Sequence, residues 1–310
     1  MTTPVAVRTW RPAFSVDLAG LLAPLRRGRG DPAFRRAVDG YWLAANTAAG
    51  PGTLALAMAG EEVLARAWGP GAEALLDGVP ALLGAEDDDS GFRAHHELID
   101  TARRRMPGLR LGATGRVWDL LIPAILEQKV TGHEARRSWR ELCGRFGERA
   151  PGPVPRAGQD RDTALRVPPT PKAIAAITGW QWHQCGVDGA RRRTLIAVAS
   201  VANRLERAAE LRGVAGRQLL QRVPGIGVWT AAEVAQRAWG DPDAVSVGDF
   251  HIPAVVGHAL VGRALDDAGM LEVLAPYAPQ RQRAVRYVEA VGVSRPRFGP
   301  RFPARDYRAI

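Results

Sequence analysis

Residues 219–253 read LLQRVPGIGVWTAAEVAQRAWGDPDAVSVGDFHIP, and two features of this stretch decide how the chain is read. The first is a turn, Pro224-Gly225-Ile226-Gly227, between two helix-like runs, one ending at Val223 and the other opening at Val228. Glycine in such a turn lets the backbone approach a ligand with no Cβ in the way. The amide N–H groups at the mouth of the second helix then favour an anion, because they are unpaired and the helix dipole is positive there. A nucleic-acid phosphate suits such a grip, which anchors without reading sequence. Ile226, between the glycines, is expected to point inward and tie the helices together. On these residues alone, an ordinary helical hairpin with a glycine turn fits equally well. The second feature is a lone carboxylate, Asp249, in a loop otherwise apolar and broken by glycine and proline. It precedes FHIPAVVGHALVGRAL, a helical run with Pro253 near its start, and a carboxylate there tends to stay ionised. A plain helix cap is the alternative role.

Working outward, apolar residues at helical spacing recur in FRAHHELIDTARRRM, RVWDLLIPAILEQKV, GHEARRSWRELCGRFG, TPKAIAAITGW, GARRRTLIAVASVANRLERA and AGRQLLQRV. Upstream, VAVRTW predicts a strand, DLAGLLAPLRR a short helix, and GYWLAANTAAGPGTLALAMAG two strands about a turn. EEVLARAWGPGAEALLDGVPALLG predicts helical pieces broken at Gly-Pro. The acidic EDDDSGF at 86–92 predicts an exposed loop ending in a helix cap and has no further expected role. The Pro/Gly-rich segment 150–162 predicts a loop, and the Arg/Pro-rich 294–310 an extended tail. The fold class is mainly α: a small α+β domain over 1–95, then an all-helical domain over 96–310.

The 310 residues carry a net charge of +10, unevenly placed. Residues 1–100 hold 9 Lys/Arg against 13 Asp/Glu, and the remainder holds 33 against 19, so a polyanionic partner is expected for the later part. Forty of the 42 cations are arginine. Biased composition explains that preference but leaves the asymmetry unexplained. Two cysteines, Cys143 and Cys185, are too few for a disulfide scaffold or a four-cysteine metal site. No apolar run is long enough for a membrane span and no signal peptide is visible, which makes a cytoplasmic, monomeric protein the expectation. His95 and His96 fall on a charged helix and are expected to face solvent. No paired-histidine or CxxC spacing argues for a catalytic metal.

The run PGIGVWTA with Asp249 at its distance from Trp229 resembles the signature of the helix-hairpin-helix, Gly/Pro-rich, aspartate superfamily of DNA glycosylases, and within it the bacterial 3-methyladenine DNA glycosylase II branch. PGLRL at 107–111, AILEQKV at 124–130 and RRSWRELCGRFGE have counterparts in the same order, so the likeness covers roughly 100–290. The N-terminal part is similar to that family's TBP-like domain in length and element order. The resemblance implies excision of a damaged base from double-stranded DNA, with Asp249 as the catalytic carboxylate. Bifunctional members carry a lysine where this chain has Trp229, and neither Lys129 nor Lys172 stands there. A monofunctional, hydrolytic enzyme acting on N-methylated purines is therefore expected, with no cofactor needed for catalysis.

Further roles follow from the same resemblance. Pro224, Gly225, Ile226, Gly227, Val228 and Thr230 would grip DNA. The Glu127–Val130 loop would fill the place of an everted base, with Lys129 at its tip and Gln128 reaching the orphaned partner. Arg281 is a phosphate or structural candidate, and Arg191, Arg192 and Arg193 either line the backbone path or form a solvated face. The main-chain carbonyls of Gln221, Val223 and Gly225 would hold a structural Na⁺ or K⁺. Trp229, Glu233 and Glu289 align with the base pocket, although an aromatic is expected at Glu233. Trp180, Trp182 and Tyr287 are further stacking candidates that also suit a core. A non-catalytic DNA-binding module, or a glycosylase for uracil, hypoxanthine or an oxidised base, remains open on these residues.

Overall fold

A computed structural model describes residues 6–155, 164–292 and 306; most of the expected 150–162 loop and 294–310 tail lies outside the described residues. The N-terminal part is an antiparallel five-stranded sheet of order β1-β5-β4-β3-β2. Its strands are β1 (Ala6–Trp10), β2 (Phe34–Ala37), β3 (Gly40–Thr47), β4 (Gly50–Ala59) and β5 (Glu62–Trp68). Three short helices, α1 (Leu18–Leu22), α2 (Ala72–Asp77) and α3 (Val79–Leu82), cover one face. Leu18, Leu21, Leu22, Leu75, Leu76 and Leu82 there meet Leu54, Leu56 and Val63 from the sheet.

One expectation fails here: residues 62–68 form β5, whereas their Glu/Leu/Ala content favours helix. The strand lies between β1 and β4, with Val63, Ala65 and Ala67 wholly buried on alternate positions. Two backbone ladders and a buried face outweigh the weak local propensity.

The helical part comprises α4 (Glu97–Arg105), α5 (Trp118–Leu126), α6 (Gly132–Phe146), α7 (Pro171–Ala176), α8 (Gly179–Gln184), α9 (Gly189–Ser200), α10 (Ala202–Leu205), α11 (Ala208–Leu211), α12 (Gly213–Gln221), α13 (Val228–Ala238), α14 (Ile252–Val261), α15 (Asp267–Leu274) and α16 (Arg281–Val291). Starts are set by side-chain caps: Thr131 with Glu134 forms a capping box on α6, and Asp188 caps α9. The helices pack around two separate cores. One unites α5 through α13, and the other unites Phe92, α4, α14, α15 and α16.

The two parts of the chain are joined by buried polar contacts as well as apolar packing. Trp42 stacks on Trp68 at 5.1 Å between ring centres, and both pack on Ala150, Leu165 and Val167, which flank or belong to the strand pair β6 (Glu148–Arg149) and β7 (Arg166–Val167). Asn46 donates its backbone N–H (2.8 Å) and side-chain amide (2.7 Å) to Asp119 on α5. The acidic segment also has a structural role that its sequence does not reveal. Asp87 accepts two hydrogen bonds from the fully buried Arg283, at 2.9 and 2.5 Å, and a third from the Leu111 N–H at 3.0 Å. Helix α4 starts only at Glu97, with no side-chain cap. His96 stands just before it and is hydrogen-bonded to the Tyr277 hydroxyl at 2.7 Å, so it is not a free solvent-facing group.

Candidate active site

The hairpin is α12, a four-residue turn and α13. Gly225 has φ +93°, and a Cβ there would lie 2.1 Å from Thr194 Oγ1, so packing on α9 and backbone conformation both require glycine. Gly227 differs: it has an ordinary φ, a Cβ would meet only open space, and it begins α13 without any side-chain cap. Gly227, Val228 and Pro224 are exposed while Ile226 is buried in the helical core, as expected. The first N–H groups of α13 therefore face outward.

The loop between α5 and α6 is latched to this turn. Gln128 Nε2 donates to the Gly225 carbonyl at 2.9 Å and to Thr230 Oγ1 at 2.8 Å. Gln128 and Thr230 thus serve each other, and Thr230 is buried. Lys129, at the exposed tip, has φ +54°, a left-handed conformation that non-glycine residues rarely adopt.

Asp249 sits where α14 and α13 converge. Its Oδ1 accepts the N–H groups of His251 (2.7 Å) and Ile252 (2.9 Å), and its Oδ2 accepts the Trp229 indole N–H at 3.0 Å. Cap and positioned carboxylate are thus one residue. It faces a cavity of about 480 Å³ walled by Gly20, Leu21 and residues 23–27, by Glu233, Gln236 and Arg237 of α13, and by Gln282, Val285, Arg286 and Glu289 of α16.

No aromatic side chain is among the described residues that line this cavity. Trp229 holds the carboxylate and is not one of the cavity's walls. Glu233 accepts the Ser246 hydroxyl at 2.6 Å and Arg237 Nη1 at 2.9 Å, and Glu289 pairs with Arg286 at 2.6 Å. Both carboxylates are thus neutralised by arginine. Arg237 also donates from Nε to the Pro24 carbonyl at 2.9 Å, which ties α13 to the N-terminal part. Arg27 lines the same space, buried, with Glu127 at 3.4 Å. Burial lowers the pKa of its guanidinium below the usual arginine value, and Glu127 opposes that effect.

The other candidates lie apart from this cavity. Arg281 makes a two-point pair with Asp243 at 2.7 and 2.5 Å, and these hydrogen bonds hold its guanidinium above the ordinary value. Arg191 is buried and bonded to Asp188, to the Leu126 carbonyl and to the Gly186 carbonyl, so it belongs to the frame; Arg193 is exposed. Trp182 and Tyr287 are core residues, and Trp180 stacks on His183 at the surface. Arg237 was legible in principle, because Trp229, Glu233 and Arg237 recur every fourth residue on one helix face. Arg27 and Pro24 carried no local signal, being brought in from about a hundred or more positions away.

No family model matches this chain. A probable bifunctional transcriptional activator/DNA repair enzyme AlkA of Mycobacterium tuberculosis is 31% identical over 151 residues, which are 47% of this chain and 28% of that protein's length. The 3-methyladenine DNA glycosylase of Archaeoglobus fulgidus superposes with a TM-score of 0.73 at 16% identity, over 91% of this chain and 96% of that one. The Clostridium acetobutylicum 8-oxoguanine glycosylase/lyase, solved with double-stranded DNA containing cytosine opposite 8-oxoG, superposes with a TM-score of 0.64 at 13% identity, over 89% and 92% of the two chains. Among the described residues, no helix is long and apolar enough to cross a membrane. The chain shares its fold with these two DNA glycosylases, and its hairpin meets Asp249 through the Trp229 hydrogen bond.

Proposed function

We propose that this protein is a monofunctional DNA glycosylase of base excision repair that hydrolyses the N-glycosidic bond of a damaged purine, N-methylated purines being the leading class. The observation that carries the reading is Asp249: a carboxylate anchored at both oxygens, at the edge of a cavity and one helix away from an uncapped hairpin. Glycosidic cleavage builds positive charge on the sugar, and a fixed carboxylate beside it stabilises that charge. The same group orients water for attack on the anomeric carbon, and the base departs with a proton. Three hydrogen bonds from N–H donors hold both carboxylate oxygens in place.

The exposed turn of α13 grips a phosphate of duplex DNA, and the tip at Lys129 enters the gap left by the everted nucleotide. The Val223 and Gly225 carbonyls each accept one N–H, from Ile226 and Gln128 respectively. Each retains a lone pair, so together with Gln221 they fit a Na⁺ or K⁺ bridging turn and phosphate. Such an ion would anchor the DNA and take no part in the bond cleavage. Trp229, in the place of an amine nucleophile, supports hydrolysis without strand cutting. The likeness of fold to a 3-methyladenine DNA glycosylase supports the methylated-purine class. A second reading, a neutral oxidised or deaminated base, is favoured by the lack of aromatic walls in the cavity.

Incubation with methylated duplex DNA tests this proposal: free methylated purines appear, Asp249→Asn binds the same DNA and releases none, and borohydride traps no covalent complex. Equal background from both proteins would refute catalysis, and a trapped complex would refute the monofunctional assignment.

A further inference from the structure

Two guanidinium groups in the cavity have hydrogen-bonding edges that the protein leaves open. Arg237 spends Nη1 on the Glu233 side chain (2.9 Å) and carbonyl (2.7 Å) and Nε on the Pro24 carbonyl (2.9 Å). Its Nη2 has no acceptor among the described residues. Arg27 makes one long contact, Nη1 to Glu127 Oε1 at 3.4 Å, and its Nε and Nη2 have no acceptor among the described residues. Arg27 is only 8% exposed as a whole, yet none of these three open nitrogens is a buried unpaired atom, so each remains accessible to a ligand. Both side chains line the space that Asp249 borders. Each meets a carboxylate on one side, Arg237 at Glu233 and Arg27 at Glu127.

The chemistry of these open edges selects among purines. A guanine-type edge presents O6 and N7 as acceptors, the pattern an arginine fork matches, whereas an adenine-type edge presents an amino donor at the same place and sets donor against donor. Among the described residues no aromatic lines the cavity, and its Glu233 and Glu289 are paired with arginine, so ring stacking and those two carboxylates are not what these open edges supply. We propose that Arg27 and Arg237 form the base-reading edge of the cavity and favour an everted purine with a carbonyl at C6 over one with an amino group there. The inference rests on the glycosylase reading and adds the class of base. It also gives the N-terminal part, through Pro24 and Arg27, a share in specificity.

Two duplexes supply the two kinds of base: one carries hypoxanthine, whose O6 and N7 are both free acceptors, and the other is methylated and carries 3-methyladenine. The readout is hypoxanthine released relative to 3-methyladenine, each normalised to its content in the DNA. The wild-type ratio is the reference against which the variants are read. Arg27→Gln, Arg237→Gln and Arg237→Lys, the last keeping charge but not the fork, are each expected to lower the ratio by about 5- to 150-fold. Thermal melting identifies any variant that fails to fold, and the remaining variants decide. A ratio that does not move overturns the proposal, as does a uniform slowing with weaker DNA binding, which would make the arginines phosphate contacts. If the wild type releases neither base, the glycosylase reading fails by itself, and calorimetry with free bases then decides the pocket. Hypoxanthine and guanine binding more tightly than adenine, with the preference lost in Arg237→Gln, supports it; equal binding overturns it.

Discussion

The Trp229 indole nitrogen donates to Asp249 Oδ2 at 3.0 Å, so a residue in the first turn of the hairpin's second helix also fixes the orientation of the carboxylate twenty positions on. The hairpin and the carboxylate are therefore joined directly, with Trp229 only two residues past Gly227. Trp229→Phe keeps the ring and removes the donor. Hydrogen bonds to charged groups are worth about 1.5–3 kcal/mol, so single-turnover base release is expected to slow by roughly 10- to 150-fold, with DNA affinity little changed. Equal loss of affinity and rate would show that Trp229 contacts DNA instead.

Asp249 is both a helix cap and the proposed catalytic group, and two substitutions separate these roles. Asparagine caps helices about as well as aspartate, whereas alanine forfeits about 0.5–2 kcal/mol. Urea denaturation should therefore find Asp249→Asn near wild type and Asp249→Ala less stable, with both inactive in base release. Residual activity in Asp249→Asn near the wild-type level would leave the residue a cap alone.

Lys129 combines a left-handed backbone with an exposed cation at the loop tip. Lys129→Gly removes both the steric penalty and the charge. Stability is expected to hold or rise by at most about 1 kcal/mol. The log–log salt slope of DNA binding is expected to fall by about one. An unchanged slope would place the tip away from the phosphates.

Asp119 is pushed by burial to a pKa of about 6, even though Arg116 and the two Asn46 hydrogen bonds pull it down. Between the ordinary carboxyl value and about 6, the folded protein thus holds a proton that the unfolded chain has released. The stability from this group is complete below pH about 4 and is lost as pH rises through about 6, amounting to roughly 3 kcal/mol at most. Asp119→Asn gives up one of the two acceptors for Asn46 and is expected to be less stable, but its stability should fall less steeply across that pH range. Denaturant midpoints measured from pH 4 to pH 7 check the slope, and parallel curves for both proteins would refute the assignment.

The hairpin, its inward Ile226 and the place of Asp249 before α14 were all legible in the sequence. Each is a local matter, fixed by helical periodicity, by glycine and proline, and by cap residues acting over three or four positions. Strand β5 was not legible, because its Leu/Ala/Glu composition carries a helical preference and its burial comes from ladders to two distant strands. Nor was the clasp from Asp87 to Arg283, whose partners are 196 positions apart. The cavity wall follows the same rule. The sequence alone determined a helix-hairpin-helix scaffold with one carboxylate after it, because those features are short-range. Only the tertiary structure decided that Pro24 and Arg27 close the cavity. Those contacts depend on which surfaces of two separate parts of the chain pack together, and no local pattern encodes that.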